Sequence, residues 1–327
     1  MKLELALAGD TMLGRGVGEQ LARSPRLDAF CAPEIVGVLA RADFVLLNLE
    51  CCISARGTPW PDPRKPFFFR APPAAAPLVA ELGVDCVTSA NNHALDFGYD
   101  ALADTGSLLE HFGVRVVGAG ADERQARAPV LLDARGVRIA VVAVTDHPRD
   151  FAAGAERPGV AWADLRSGVP SWLTAGIGLA REEADVVLVT PHWGPNMTPG
   201  PPRYVVGAAE SLLAAGATLV AGHSAHVFHG VADRVLYDMG DFVDDYVVHP
   251  GLRNDLGLLF LVTLDGPAAD HLSPVRLDAL PTAIDRCRVR PAAGEEWEFI
   301  RERFTSACAE FDTPVLTEHG RLVVAWS

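Results

Sequence analysis

The sequence predicts an α/β protein, and three observations carry that expectation. Short apolar runs recur along the chain, separated by stretches with helical apolar spacing. The run at 137–144, Val-Arg-Ile-Ala-Val-Val-Ala-Val, is apolar at successive positions, as in a strand covered on both faces. Several runs stop abruptly at Asp, Asn, Glu or His, the pattern of strands that deliver polar groups to one end of a sheet.

Residues 3–8 read as the first strand, followed by a sharp turn through Gly9-Asp10-Thr11-Met12-Leu13-Gly14-Arg15-Gly16. A helix is expected over 33–41 behind Ala32-Pro33, then a strand over 43–47 that ends in Asn48-Leu49-Glu50. Residues 57–73 are Pro-rich; proline fixes φ and lacks a donor, so they form an ordered loop or edge. A helix over 73–82 leads to a strand over 84–89 and into Asn91-Asn92-His93-Ala94-Leu95-Asp96-Phe97-Gly98. Leu102, Leu108, Leu109 and Phe112 mark a helix over 100–112, and strands follow near 114–117, 129–133 and 137–144. Residues 148–168 lack periodicity and read as a long loop, a class that often covers sites.

A helix near 170–183 precedes the strand 184–190, which runs into Pro191-His192-Trp193-Gly194. A helix over 203–215 and a strand over 217–221 end at Gly222-His223-Ser224-Ala225-His226. Strands are then expected at 226–231, 234–238 and 256–264, a helix at 294–311 and a last strand at 321–326.

The 327 residues are 49% hydrophobic and 21% charged, with a net charge of −14, which suits a soluble globular protein. Such an acidic body argues against nucleic acid or an anionic membrane as partner. No apolar run approaches the ~20 residues of a membrane span. The chain passes from Lys2 straight into alternating leucines, without a secretory leader, and its six cysteines form no C-x-x-C pair. Free thiols and a cytoplasmic location are the expectation.

Asp10, Glu50, Asn92, His192 and His223 each close an apolar strand, and His226 follows three residues on. Oxygen and imidazole donors together suit Mn, Fe or Zn better than Mg or Ca. Each residue also has an ordinary reading: an Asx turn for Asp10, a hydrogen-bonded core histidine for His192, a surface pair for His223 and His226. Their common position at strand ends favours a divalent metal centre of one or two ions. Asp241 is open between a bond to His223 and one to His226, and His147 reads as part of a turn before Pro148.

At these residues the sequence resembles the CapA family, named for poly-γ-glutamate capsule synthesis and related to the calcineurin-like metallophosphoesterases. Gly9-Asp10, Asn48-Leu49-Glu50, Asn91 to Gly98, His192-Trp193-Gly194, Gly222 to His226 and Gly240-Asp241-Phe242 carry the resemblance, in that order. It implies a four-layer αββα sandwich of the metallophosphoesterase type over residues 1–270, with 271–327 as a C-terminal extension on the same domain. It also implies Asp10, Glu50, Asn92, His192, His223 and His226 as metal ligands, with Glu50 bridging. His93 then matches a catalytic histidine, Asp96 orients it, and Arg15, Lys65 and Arg70 are candidates for binding a carboxylate or phosphate. The chain departs from the phosphoesterase pattern at Met12, where a ligand histidine is usual, at Glu50, where Asp is usual, and at Ala94.

The leading expectation is a metal-dependent enzyme acting on a small acidic or peptide-like, amide-containing substrate by hydrolysis or by acyl or phosphoryl transfer. The alternatives are a biosynthetic tailoring enzyme such as a cyclase, and a non-catalytic capsule-assembly scaffold.

Overall fold

The computed structural model describes residues 1–326. Two sheets lie face to face. Across the first, the order is Leu316–Glu318, Arg321–Ala325, Ser273–Asp285, Leu256–Asp265, Lys2–Thr11, Phe44–Leu49, Cys86–Thr88 and Arg115–Val117. Across the second it is Val231–Ala232, Val235–Leu236, Leu219–Ala221, Val186–His192, Val137–Thr145 and Val130–Ala134.

Strand alternation explains the layering. Leu3, Leu5 and Leu7 point between the sheets and meet Ile139, Val141, Val186 and Leu188 there. Ala6 and Ala8 point the other way, into an outer layer with Leu21, Ile35 and Val79 from the helices Arg15–Arg23, Pro33–Leu39 and Ala75–Glu81. On the far side Val142, Val187 and Val189 pack on Leu173 and Ile177 of Ser171–Glu183 and on Val205 and Leu212 of Arg203–Ala214. The layers therefore run helix, sheet, sheet, helix, as the resemblance implied.

The C-terminal residues continue the first sheet. Ser273–Asp285 pairs along Leu256–Asp265, while Ile300, Phe304 and Cys308 of the helix Glu295–Ala309 close the core between the sheets. Two prolines sit inside this inner strand, which a central position normally forbids. On its outer side Arg321–Ala325 pairs only with 276–279, and Arg288–Pro291 only with 282–285. Pro281 falls in the gap between them, and Pro274 lies before the first pair, so neither is asked for an amide hydrogen on that side.

Two local expectations change. Residues 226–231 are not a strand, apart from the Val231–Ala232 edge, because Ser224 and His226 adopt φ of +124° and +61°. Strands need negative φ, and the turn instead aims His226 at the site. The turn expected through Gly16 gives way to a helix at Arg15–Arg23. The 148–168 stretch is pinned rather than loose: Gly159–Val160 pairs with Ala119–Gly120, and Phe151 is buried beside Leu95, Leu102 and Val160. All six cysteines are free, and no described helix is long and apolar enough to cross a membrane.

Candidate functional site

Parallel pairing brings the strand ends together. Lys2–Thr11, Phe44–Leu49 and Cys86–Thr88 run parallel in one sheet, and Val137–Thr145, Val186–His192 and Leu219–Ala221 in the other. Their carboxyl ends meet at one edge of the sandwich, where α/β sheets usually carry sites.

Asp10 would face the outer helices if the alternation of Ala6 and Ala8 continued. The register against Phe44–Leu49 shifts between Ala8 and Asp10, a bulge centred on Gly9. Gly9 is required there: a Cβ would lie 1.9 Å from the Gly240 carbonyl, which instead accepts from the Asp10 amide at 2.8 Å. The shift turns Asp10 toward the second sheet. Its Oδ1 lies 3.6 Å from His223 Nδ1, and its Oδ2 lies 3.2 Å from His226 Nδ1.

Asp10 thereby joins two donor sets, one with His192 and His223 and one with His226 and Asp241. In the first, His192 Nδ1 and His223 Nδ1 are 2.8 Å apart, and Thr190 Oγ1 is 3.1 Å from His223 Nε2. In the second, Asp241 Oδ1 lies 2.8 Å from His226 Nδ1. Glu50 stands beside this set, its Oε2 3.8 Å from His226 and accepting from the Tyr246 hydroxyl at 2.8 Å. The carboxylate common to both sets is Asp10. The residue at the usual histidine position, Met12, is fully buried, and its sulfur accepts from the Gly14 amide.

The electrostatics are those of a buried acidic cluster short of positive charge. Burial pushes the Glu50 carboxyl up to about 8, and the neighbouring Asp10 adds to it. Burial likewise raises Asp241 well above the carboxylate range and brings Asp244 to about 6. Burial opposes charge on His226, but Asp241, Glu50 and Asp10 outweigh it and hold the imidazole well above its usual value. His192 and His223 are depressed, chiefly by burial, His223 to about 4, so both offer neutral nitrogens.

Asp10 Oδ2, Glu50 Oε1, His192 Nε2, Asp241 Oδ2 and Asn92 Oδ1 are buried without a hydrogen-bond partner. Stranding so many polar atoms in the interior is costly, roughly 1–3 kcal/mol each, unless a cation draws on them. The donor chemistry and the unpaired atoms fit a divalent metal. Other buried polar groups brace these donors. Asn48 donates to Asp10 Oδ1 at 2.6 Å and accepts from Asn91 at 2.9 Å. Asp238 accepts from the Ala225 and Gly240 amides and ties the His223–His226 turn to the Asp241 segment.

His93 lies at the edge of the cluster, 6% exposed, with Nε2 4.0 Å from Glu50 Oε1. Its Nδ1 is 2.6 Å from Asp96 Oδ2, which also accepts from the Phe69 amide. The Phe69 ring stacks on the imidazole at 4.0 Å. Burial lowers the His93 pKa, partly countered by Asp96, so the ring is neutral and Nδ1–H donates to the carboxylate. That leaves the Nε2 lone pair free.

The three basic candidates separate. Arg15 lines a cavity of about 430 Å³ together with His93, His226 and Tyr246. Lys65 turns inward instead, 2.8 Å from Asp96 Oδ1 and donating to the Asn92 carbonyl. Arg70 donates to the Arg56 carbonyl, with its guanidinium 4.1 Å from the Phe97 ring centre. Neither lines the cavity. His147, read from sequence as a turn residue, hydrogen-bonds Asp146 and places its ring 5.2 Å from that of His192. Sequence reasoning missed Asp244 and Tyr246. The Asp244-Asp245-Tyr246 run, one residue beyond Gly240-Asp241-Phe242, was the available signal.

A family model described as bacterial capsule synthesis protein PGA_cap matches residues 4–246. A probable polyglutamine synthesis accessory protein of Mycobacterium tuberculosis is 31% identical over 97% of this chain and 94% of its own length. The PGA biosynthesis protein CapA of Bacillus subtilis is 27% identical over 74% of this chain and 63% of its own. Among solved structures, a 5'-nucleotidase from Candida albicans aligns with a TM-score of 0.44 at 10% identity, covering 95% of this chain and 59% of that one. The chain is a member of the PGA_cap family of bacterial capsule synthesis proteins.

Proposed function

We propose that the protein is a metal-dependent enzyme acting on a small acidic or amide-containing substrate by hydrolysis or by acyl or phosphoryl transfer. The observation that carries this reading is that buried Asp10 groups with His192 and His223 on one side and with His226 and Asp241 on the other, with Asp10 Oδ2, His192 Nε2 and Asp241 Oδ2 unpaired, beside a cavity lined by His93 and His226. Asp10, His192, His223, His226 and Asp241 would hold the ion or ions, with Glu50 and Asn92 adjoining. Mn, Fe or Zn suit the mixed imidazole and carboxylate donors. A divalent cation supplies Lewis-acid polarisation of a carbonyl or phosphoryl oxygen.

The remaining work falls to protein groups. His93 takes or gives a proton at Nε2, and Asp96 fixes its tautomer through Nδ1. Lys65 neutralises the outer oxygen of Asp96 and so serves as a positioning residue. Phe69 covers the imidazole and keeps water from its face. Tyr246 orients Glu50, and Arg15 receives a negative end of the substrate. The relatives' names connect the family with capsule and PGA biosynthesis, which supports an acidic substrate class.

Elemental analysis of the purified protein, with turnover on γ-glutamyl, amide and phosphoester substrates before and after chelation, tests this reading. Bound divalent metal with chelator-sensitive turnover is expected. Turnover that survives complete metal removal overturns it.

A further inference from the structure

We propose that the cavity beside His93 and His226 is built for a small molecule bearing one carboxylate and an aromatic or branched apolar arm, rather than for a polyanionic chain. This deepens, and rests on, the reading of the site as catalytic. At about 430 Å³ the cavity lies in the range of small-molecule sites, roughly 300–1,000 Å³.

Its walls are apolar: Phe67, Phe69, Tyr246, Val247, Val248 and Met197. Three of them reach solvent to a degree that costs free energy in an empty protein, with Phe67 57%, Val247 87% and Val248 44% exposed. Large hydrophobic side chains gathered at one rim, next to a buried polar cluster, mark a surface that an apolar group covers.

Arg15 is the cavity's only arginine or lysine among the described residues. Its Nε is 3.3 Å from Asp245 Oδ1, and its guanidinium sits 5.6 Å and 6.0 Å from the Phe69 and Phe67 ring centres. The backbone holds a φ of +46°, unusual for a side-chain-bearing residue, and the next amide, Gly16, donates to Asp245 Oδ2. Arg15 is thus fixed against an aromatic wall, and no hydrogen bond among the described residues engages its terminal nitrogens. A guanidinium held this way reads one carboxylate in a two-pronged contact.

A γ-glutamyl chain would bring a carboxylate with every residue. Lys65 and Arg70, the nearby cations, are committed elsewhere, to Asp96 and to the Arg56 carbonyl. His249, also on the wall, accepts the Gly251 and Leu252 amides at Nδ1 and braces its own loop. Along the rim away from the donor cluster, no arginine or lysine other than Arg15 lines the cavity among the described residues to meet the carboxylates that a chain would add.

Calorimetric titration of the purified protein, its metal content measured on the same sample, distinguishes the cases. The probes are N-benzoylglycine, N-acetylglycine, N-benzoylglycinamide and tri-γ-glutamate. N-benzoylglycine should bind at least about tenfold more tightly than each of the others. Arg15→Gln should weaken N-benzoylglycine about tenfold and leave N-benzoylglycinamide unchanged. Val247→Ser, at an exposed position that does not threaten folding, should weaken both benzoyl probes and spare N-acetylglycine. Tri-γ-glutamate binding as tightly as N-benzoylglycine, absent N-benzoylglycine binding, or variants without effect would each overturn the assignment. A metal-free sample counts against the catalytic reading alone, because the ranking of probes still decides this one.

Discussion

Nδ1 of His93 stands 2.6 Å from Oδ2 of Asp96, and the other oxygen of that carboxylate is 2.8 Å from Lys65 Nζ. The three side chains come from two segments, the Pro-rich stretch and the Asn91–Gly98 turn, and Phe69 of the first also donates its amide to Asp96. One buried carboxylate therefore sets the tautomer of His93 and anchors the loop that roofs it.

His93→Gln is expected to lower kcat by about 10²–10⁴-fold, the usual worth of a positioned proton-transfer group. Metal content should remain unchanged. Asp96→Asn should lower kcat by a smaller factor, because an amide can still accept from Nδ1. Steady-state kinetics on a turned-over amide or γ-glutamyl substrate, beside elemental analysis, check both; full kcat in His93→Gln would remove it from the chemistry.

Asp10 belongs to both donor sets, so Asp10→Asn should reduce bound metal more than His192→Gln, which touches one set. Chelation should lower Tm of the native protein and leave that of Asp10→Asn nearly unmoved, since only the folded state presents the assembled donors. Equal metal content in the two variants would contradict a shared carboxylate.

Gly9→Ala puts a methyl 1.9 Å from the Gly240 carbonyl, and neither backbone can move without breaking the Asp10 amide bond to Gly240. A loss of about 1–3 kcal/mol or more is expected from overpacking, with weaker metal binding as Asp10 shifts. Urea titration reads the first and elemental analysis the second. An unchanged midpoint would mean that the bulge tolerates a side chain.

Buried His229 has its pKa lowered to about 4, mainly by burial, with the Thr198 carbonyl 2.8 Å from Nε2 pulling the other way. Unfolded histidine titrates near 6.5, so the unfolded chain binds the extra proton between roughly pH 4 and 6.5. Stability held above that window is lost as pH falls through it. His229→Gln keeps a donor toward Thr198 and removes the titration. Its Tm should fall less than that of the native protein between pH 6.5 and 4.5, and parallel curves would show that His229 does not contribute.

What the amino-acid order determined by itself was the apolar central strands and the donors at their ends. Apolar runs stopping at Asp10, Glu50, His192 and His223 are visible in one dimension because strand periodicity and burial are local properties. The same holds for the helices 171–183 and 203–214, whose apolar faces recur at helical spacing. Only the tertiary structure decided which carboxylate is shared, since the bulge at Gly9 exists through the close approach of Gly240, far along the chain. It also decided that Lys65 turns to Asp96 while Arg15 faces the cavity, because the direction of a long flexible cation is set by the nearest buried charge. Strand 273–285, with its two prolines, and the φ of His226 belong with these: pairing partners and a buried carboxylate selected conformations that local propensity opposes.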